Sequence, residues 1–274
     1  MPDPDLGRRV RTGAFDTNFH DRGQGGSVLL VHGSGPGATA WTNWQATLPL
    51  LAEDFRVLAP DLLGFGHTEF PAGHPTGTEV WARQVLDLLD TQGIGTADVI
   101  GHSYGGAVAL HLAIHHPERV RRLVLSGSVG TPFPVTPELA AVWGYSPSAA
   151  NMRRLLELFA YDSTRVSDDL VALRHQASIR DDRHQRYAAL FAPPHQRWID
   201  AATFPEAVLR AVPHPTLIVH GREDRVVPVA VAHTLSRWIG RSDLHILGRC
   251  GHSAPIEHGA RFSRQVRDFL LEPA

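Results

Sequence analysis

Lysine is absent from the 274-residue sequence, so all 26 strongly basic side chains are arginines. That absence reads as compositional bias, and it removes the phosphate-gripping lysine that a P-loop requires. A single cysteine, Cys250, excludes an internal disulfide and a cysteine-rich zinc site and favours a reducing compartment. An excess of one charge is missing as well: 26 basic against 28 acidic groups leaves a formal charge of -2, with no basic footprint for nucleic acid or an anionic membrane. No run approaches the ~20 apolar residues of a membrane span, and the start, Met1-Pro2-Asp3-Pro4-Asp5, has no apolar segment behind a positive flank. Together these absences point to a cytoplasmic protein whose partner is a small molecule, with no nucleic acid and no membrane.

What is present is an ordinary globular composition, 43% hydrophobic and 20% charged, in a chain long enough for one large α/β domain with an insertion. Short β-branched or Leu-rich runs alternate with segments of helical spacing, the pattern of β-α units on a mostly parallel sheet. The runs are Ser27 to Gly33, Phe55 to Asp61, Ala97 to Ser103, Val120 to Gly127, Pro215 to Gly221 and Ser242 to Gly248. Helices are expected at about 76 to 92, 104 to 115, 229 to 239 and 256 to 271. Val10 to Phe15 and Thr17 to Asp21 read as an antiparallel hairpin at the sheet edge, which makes about eight strands. Between roughly 131 and 210 strand-like runs vanish, so an all-helical insertion after the sixth strand is expected to sit as a lid over the sheet's carboxyl edge. The expected division is a core of 1-130 and 208-274 with a lid of 131-207.

The strongest chemical signal is Gly101-His102-Ser103-Tyr104-Gly105-Gly106, a G-x-S-x-G sequence directly after an apolar strand and directly before a helical segment. That context is what a nucleophile elbow requires: the glycines clear a crowded strand-to-helix corner and Ser103 presents its hydroxyl. A serine hydroxyl needs a general base, and the base an orienting acid. In this motif class the chain order is Ser, then Asp or Glu, then His. Asp224, just past the penultimate core strand, and His252, just past the last, fall where strand ends converge. Glu223 and Asp61 are the rivals for the acid. Among 17 histidines, His32, His102 and His220 also lie near strand ends, but at or before a strand's last residues. The oxyanion donors expected are the backbone N-H of Tyr104 and one in the glycine-rich loop His32 to Gly37, around Ser34. Cys250, two residues from His252, reads as structural. Trp41, Trp44, Trp143, Trp198 and Phe159 read as core or lid packing, with Trp143 at the border of the pocket.

These residues resemble the α/β-hydrolase superfamily, and the segments HGSGPGATAWTNW, APDLLGFGHTE, HHPERVRRLVLSGSVGTPFPVT, VWGYSPSAANMRRLLELFAYD, QRWIDA, HGREDRVVP and CGHSAPIEH resemble its meta-cleavage product hydrolases. The resemblance implies cofactor-independent cleavage of a carbon-carbon bond in a 2-hydroxy-6-oxohexa-2,4-dienoate, giving 2-hydroxypenta-2,4-dienoate and a carboxylic acid. It also implies a homo-oligomer, no metal, and substrate contacts from Gly33, Gly35, Asn43, His102, Arg174 and Ser253, with Arg174 holding the substrate carboxylate. Two positions depart from the family pattern: His102 stands where an asparagine is usual, and Ser253 where a tryptophan is usual. They leave a carboxylesterase or lactonase using the same triad as the alternative, and a ligand-binding receptor on this fold as a third reading.

Overall fold

The computed structural model describes residues 3-69, 71 and 73-273, so Met1 and Pro2 of the N-terminal run lie outside it. Eight strands form one sheet in the order β1-β2-β4-β3-β5-β6-β7-β8. They are β1 (Arg8–Thr12), β2 (Phe15–Arg22), β3 (Gly26–Val31), β4 (Phe55–Pro60), β5 (Ala97–His102), β6 (Val120–Ser126), β7 (Thr216–Gly221) and β8 (Ser242–Leu247). Only β2 runs against the others, since it pairs antiparallel with both β1 and β4 while the remaining neighbours pair parallel. The hairpin β1-β2 differs from its expected bounds. Its turn falls at Gly13-Ala14, where Gly13 takes φ +54°, a left-handed conformation that glycine adopts without penalty. Phe15 therefore opens the second strand, opposite Thr12, instead of closing the first.

The central strands are buried on both faces, and alternate residues feed two separate cores. Leu29, Val31, Val99 and Leu125 pack on the side of the helices Thr78–Thr91 and Tyr104–His115. Val28, Leu30, Ile100 and Val124 pack on the opposite side with Trp44 and with Phe262 and Val266 of the helix Gly259–Leu271. The last helical stretch, expected to be continuous from 256, is broken at His258, which separates Ala254–Glu257 from Gly259–Leu271. Between β6 and β7 the described chain forms helices and no strand, from Pro137–Trp143 through Ala149–Phe159, Asp168–Ile179 and Arg183–Leu190 to Glu206–Arg210. Among the described residues no helix is long and apolar enough to cross a membrane.

Strand order reverses at β3, whose neighbours β4 and β5 lead away on opposite sides, and a crevice opens at the carboxyl end of such a switch point. Asp61, just past β4, braces that end of the sheet. One of its oxygens accepts from Ala40 N-H at 2.7 Å and the other from Asn18 Nδ2 at 2.7 Å and His67 N-H at 2.8 Å. It thereby fixes the start of the helix Ala40–Trp44, and both its oxygens are committed to donors other than His252. Burial pushes its carboxyl up to about 6, against the pull of these donors. Removing it leaves the Ala40 and His67 N-H groups without their acceptor, while Asn18 Nδ2 keeps Asp5 O, so Asp61→Ala is expected to lose about 2–4 kcal/mol of stability in urea unfolding.

Candidate active site

Ser103 sits between β5 and the helix Tyr104–His115 at φ 55°, ψ -121°, a conformation that side-chain-bearing residues rarely adopt. The neighbouring glycines make the corner possible. A Cβ on Gly101 would lie 2.4 Å from Gly105 O, and one on Gly105 would lie 2.4 Å from Val31 O. The turn is pinned by Ser103 N-H donating to Ser126 O at 2.9 Å and by Gly106 N-H donating to Ser103 O at 3.0 Å.

His252 Nε2 lies 2.9 Å from Ser103 Oγ, and its Nδ1 lies 2.8 Å from Asp224 Oδ2. The carboxylate can only accept, so Nδ1 carries the hydrogen and Nε2 is the acceptor for the serine hydroxyl. The other Asp224 oxygen accepts from Val226 N-H at 2.8 Å and Val227 N-H at 3.0 Å. Burial works to raise the Asp224 carboxyl, but the His252 charge and the hydrogen bonds from His220 and His252 outweigh it and hold it well below the usual carboxylate range.

Of the other histidines near strand ends, His220 was passed over for the base and proves to contact the acid. Its Nε2 lies 3.1 Å from Asp224 Oδ2 and 2.9 Å from Val227 O. His32 is structural: Nδ1 donates to Gly33 O at 2.8 Å, Nε2 accepts from Leu62 N-H at 2.9 Å, and burial pushes it down to about 4. It fixes the loop that follows β3. Glu223, the rival acid, accepts instead from Cys250 N-H at 3.1 Å. Cys250 itself is buried, and burial together with nearby carboxylates takes its thiol far above the reactive range.

Among the described residues neither Ser34 N-H nor Tyr104 N-H donates to a protein acceptor, as an oxyanion pocket requires. Gly33 lies tight against the serine: a Cβ there would sit 3.0 Å from Ser103 Cβ. Two contacts that sequence reasoning missed hold the Ser34 loop from the helical segment. Trp143 Nε1 donates to Ser34 Oγ at 3.1 Å, and the Tyr187 hydroxyl lies 3.0 Å from Ser34 O and 2.9 Å from Val142 O. Trp143 thus grips the loop and does not line the cavity.

The cavity in front of the serine has a volume of about 320 Å³ and is lined by Gly33, Ser34, Gly35, Asn43, His102, Ser103, Arg174, His252 and Ser253, with Leu139, Val142, Leu156, Phe159 and Val226 supplying apolar wall. Every residue expected in the site borders it except Asp224, behind His252, and Tyr104, whose ring is buried and whose hydroxyl donates to Trp198 O at 3.2 Å. Among the described residues Arg174, on Asp168–Ile179, makes one long bond, from Nη2 to Pro36 O at 3.4 Å, and its sequestered Nε has no partner. Burial lowers the pKa of this guanidinium, so its charge is poorly compensated by the protein. Asn43 Oδ1 accepts from Gly33 N-H at 3.2 Å.

Phe159 is more than packing. Its ring stacks on His252, with centroids 5.8 Å apart and planes at 28°, and its carbonyl accepts from His252 N-H at 2.8 Å. Glu257 closes the same joint, accepting from Gly251 N-H at 2.9 Å and from Tyr161 N-H at 2.7 Å. No spacing rule marks these residues, because both roles arise from contacts remote in sequence. Asp3, Asp5 and His67 lie close enough to share an ion, but the Arg180 guanidinium donates to Asp3 there.

Because the Asp224 carboxyl is held below its ordinary value, its contribution to stability is present above the unfolded-state pKa of about 3.9 and is lost as pH falls through the lower folded value. The stability advantage of the wild type over Asp224→Asn is therefore expected to be level above about pH 4 and to shrink below it, as read by denaturant titration across pH.

A family model described as alpha/beta hydrolase fold matches residues 26–259. The chain is 52% identical over 269 residues to a 2-hydroxymuconate semialdehyde hydrolase of Pseudomonas sp. strain CF600, covering 98% of this chain and 95% of that one. It is 47% identical over 266 residues to a 2-hydroxy-6-oxo-2,4-heptadienoate hydrolase of Pseudomonas putida, covering 97% and 96% respectively. A solved meta-cleavage product hydrolase from Pseudomonas fluorescens IP01, a mutant complexed with acetates, superposes with a TM-score of 0.97 at 42% identity over 98% of each chain. With a serine at the elbow, a histidine and a buried carboxylate behind it, and this likeness along its whole length, the chain belongs to the α/β-hydrolase fold family and, within it, to the meta-cleavage product hydrolases.

Proposed function

We propose that this enzyme hydrolyses the C5-C6 bond of a 2-hydroxy-6-oxohexa-2,4-dienoate, yielding 2-hydroxypenta-2,4-dienoate and a carboxylic acid, with Ser103, His252 and Asp224 as its catalytic residues. The observation that carries this reading is that the Ser103–His252–Asp224 relay opens into the same cavity as the under-compensated guanidinium of Arg174. A substrate with a carboxylate at one end and a ketone at the other spans that pair. Arg174 takes the carboxylate by charge-assisted hydrogen bonds, assisted by the polar Asn43.

The chemistry follows from the groups present. The dienol first loses the proton on its C2 oxygen and gains one at C5, with His252 as the proton carrier. The C6 ketone is then attacked by Ser103 Oγ, whose proton passes to His252 Nε2. The oxyanion that forms lies within reach of the Ser34 and Tyr104 N-H groups. When C5-C6 breaks, the electron pair runs through C4 and C3 into the C2 carbonyl, and the resulting dienolate takes back a proton from His252. Water hydrolyses the acyl-serine and releases the acid. Asp224 holds the His252 tautomer and stabilises its cation. No step calls for a cofactor.

The division of labour proposed for the chain is a core of 1-130 and 208-274 that carries the relay, and a lid of 131-207 that carries Arg174 and much of the apolar wall. The apolar wall from Leu139, Val142, Leu156 and Val226 is the natural place for the substituent on the ketone carbon. The soluble partner is the small-molecule substrate, and a homo-oligomeric, cytoplasmic enzyme is part of the same proposal.

The test is loss of the yellow dienolate absorbance with 2-hydroxymuconate semialdehyde and its 6-methyl, 6-isopropyl and 6-phenyl analogues, run beside p-nitrophenyl acetate and butyrate. Bleaching with release of the matching acid supports the reading, whereas ester cleavage without bleaching assigns the triad to a carboxylesterase. His252→Ala is expected to lower kcat at least about a thousandfold. Arg174→Ala is expected to lower kcat/KM for dienoates by roughly 10- to 100-fold while leaving neutral ester turnover near wild type; equal losses on both substrates would place Arg174 in lid folding instead.

A further inference from the structure

The residue immediately before the nucleophile, His102, has a role that the relay does not require. Its Nδ1 lies 3.0 Å from Ser126 O, an atom that only accepts, so Nδ1 carries the ring hydrogen. Burial, helped by the neighbouring His252, pushes the imidazole down to about 3, so the ring is neutral at physiological pH. In a neutral ring with hydrogen on Nδ1, Nε2 is a lone pair and nothing else. Among the described residues Nε2 has no hydrogen-bond partner, it is not sealed from the cavity, and the ring forms part of the cavity wall.

The placement of the ring is fixed on three sides. Its centroid is 5.0 Å from that of His252 and 6.3 Å from that of Trp44, whose ring meets it edge-on. Its Cδ2, next to Nε2, lies 3.4 Å from where a Cβ on Gly33 would be. Gly33 is also where Asn43 is anchored, and because Asn43 Oδ1 takes the Gly33 N-H, its Nδ2 is the end left to donate. The same loop reaches Arg174 through Pro36 O. One short loop therefore brings together a cation, a donor and a bare acceptor.

Resting on the functional reading above, we propose that His102 Nε2 accepts a hydrogen bond from the C2 hydroxyl of the substrate, while Asn43 Nδ2 donates to the same oxygen. This makes His102 a positioning and specificity residue. A hydroxyl both donates and accepts and satisfies the pair, whereas a C2 ketone or enolate oxygen carries no hydrogen and would face the His102 lone pair.

The test uses Ser103→Ala/His252→Ala protein, which can neither ketonise nor cleave the substrate, and measures by calorimetry the affinity for 2-hydroxy-6-oxohepta-2,4-dienoate and its 2-methoxy ether, which keeps the oxygen but not the hydrogen. The expected preference for the hydroxy compound is roughly five- to tenfold, the value of one neutral hydrogen bond. Adding His102→Leu should erase that preference with affinity for the ether retained. A preference that survives His102→Leu overturns the proposal. Should His102→Leu not fold, nitrogen NMR of 15N-histidine-labelled Ser103→Ala/His252→Ala protein decides the matter. The unprotonated His102 Nε2 resonance should move to lower shift with the hydroxy compound and stay put with the ether, and no movement with either bound compound overturns it. Binding of neither compound would sink the functional reading and this proposal with it, whereas dienoate binding without discrimination removes only the role of His102.

Discussion

The turn at Ser103 is the constraint on which the rest of the site depends. A left-handed serine at the end of a buried parallel strand costs on the order of 1–3 kcal/mol and persists only where the surroundings allow no other path. Here the clearance comes from Gly101 and Gly105, each packed against backbone where no Cβ fits. The strain is held by β5 lying between β3 and β6, and by the serine's own backbone bonds to Ser126 and Gly106. Because the corner is fixed, the hydroxyl direction is fixed, and the histidine and the oxyanion donors can be placed relative to it by other strands.

Behind the serine the structure solves a second problem, the burial of a negative charge. Asp224 is almost entirely withdrawn from water, and an uncompensated carboxylate there would simply protonate. Two backbone N-H groups on one oxygen and two imidazoles at the other keep it ionised. Arg174 presents the reverse case. The protein leaves its charge nearly bare, which is tolerable when an anion is expected in the cavity and wasteful otherwise.

Much of this was legible in the sequence because it is written in local grammar. Apolar runs ending in glycine-rich turns gave the core strands and their carboxyl ends. A serine flanked by glycines at one end, Asp224 past β7 and His252 past β8 occupy positions that periodicity can locate. The hairpin turn slipped because Gly13 and Asp16 are both acceptable turn residues, and only packing decides that Phe15 points inward. The contacts of Phe159, Trp143, Tyr187 and Glu257 carry no local signal, for a common reason. Each residue acts through a contact with a loop far away in sequence, and an aromatic or acidic residue in a helical segment has the same local signature whether it grips a loop or merely fills space.

The backbone carbonyl of Phe159 that receives His252 N-H belongs to the helical segment, while the histidine belongs to the loop after β8. A carbonyl is not encoded by any one side chain, so no point substitution deletes this tie, yet shortening or re-registering the helix Ala149–Phe159 would. Exchanging helical segments between related enzymes to graft a new pocket therefore has a hidden anatomical requirement. The transplanted piece must end one helix at the right height, or the general base is left without its backbone anchor even though every residue of the relay is retained.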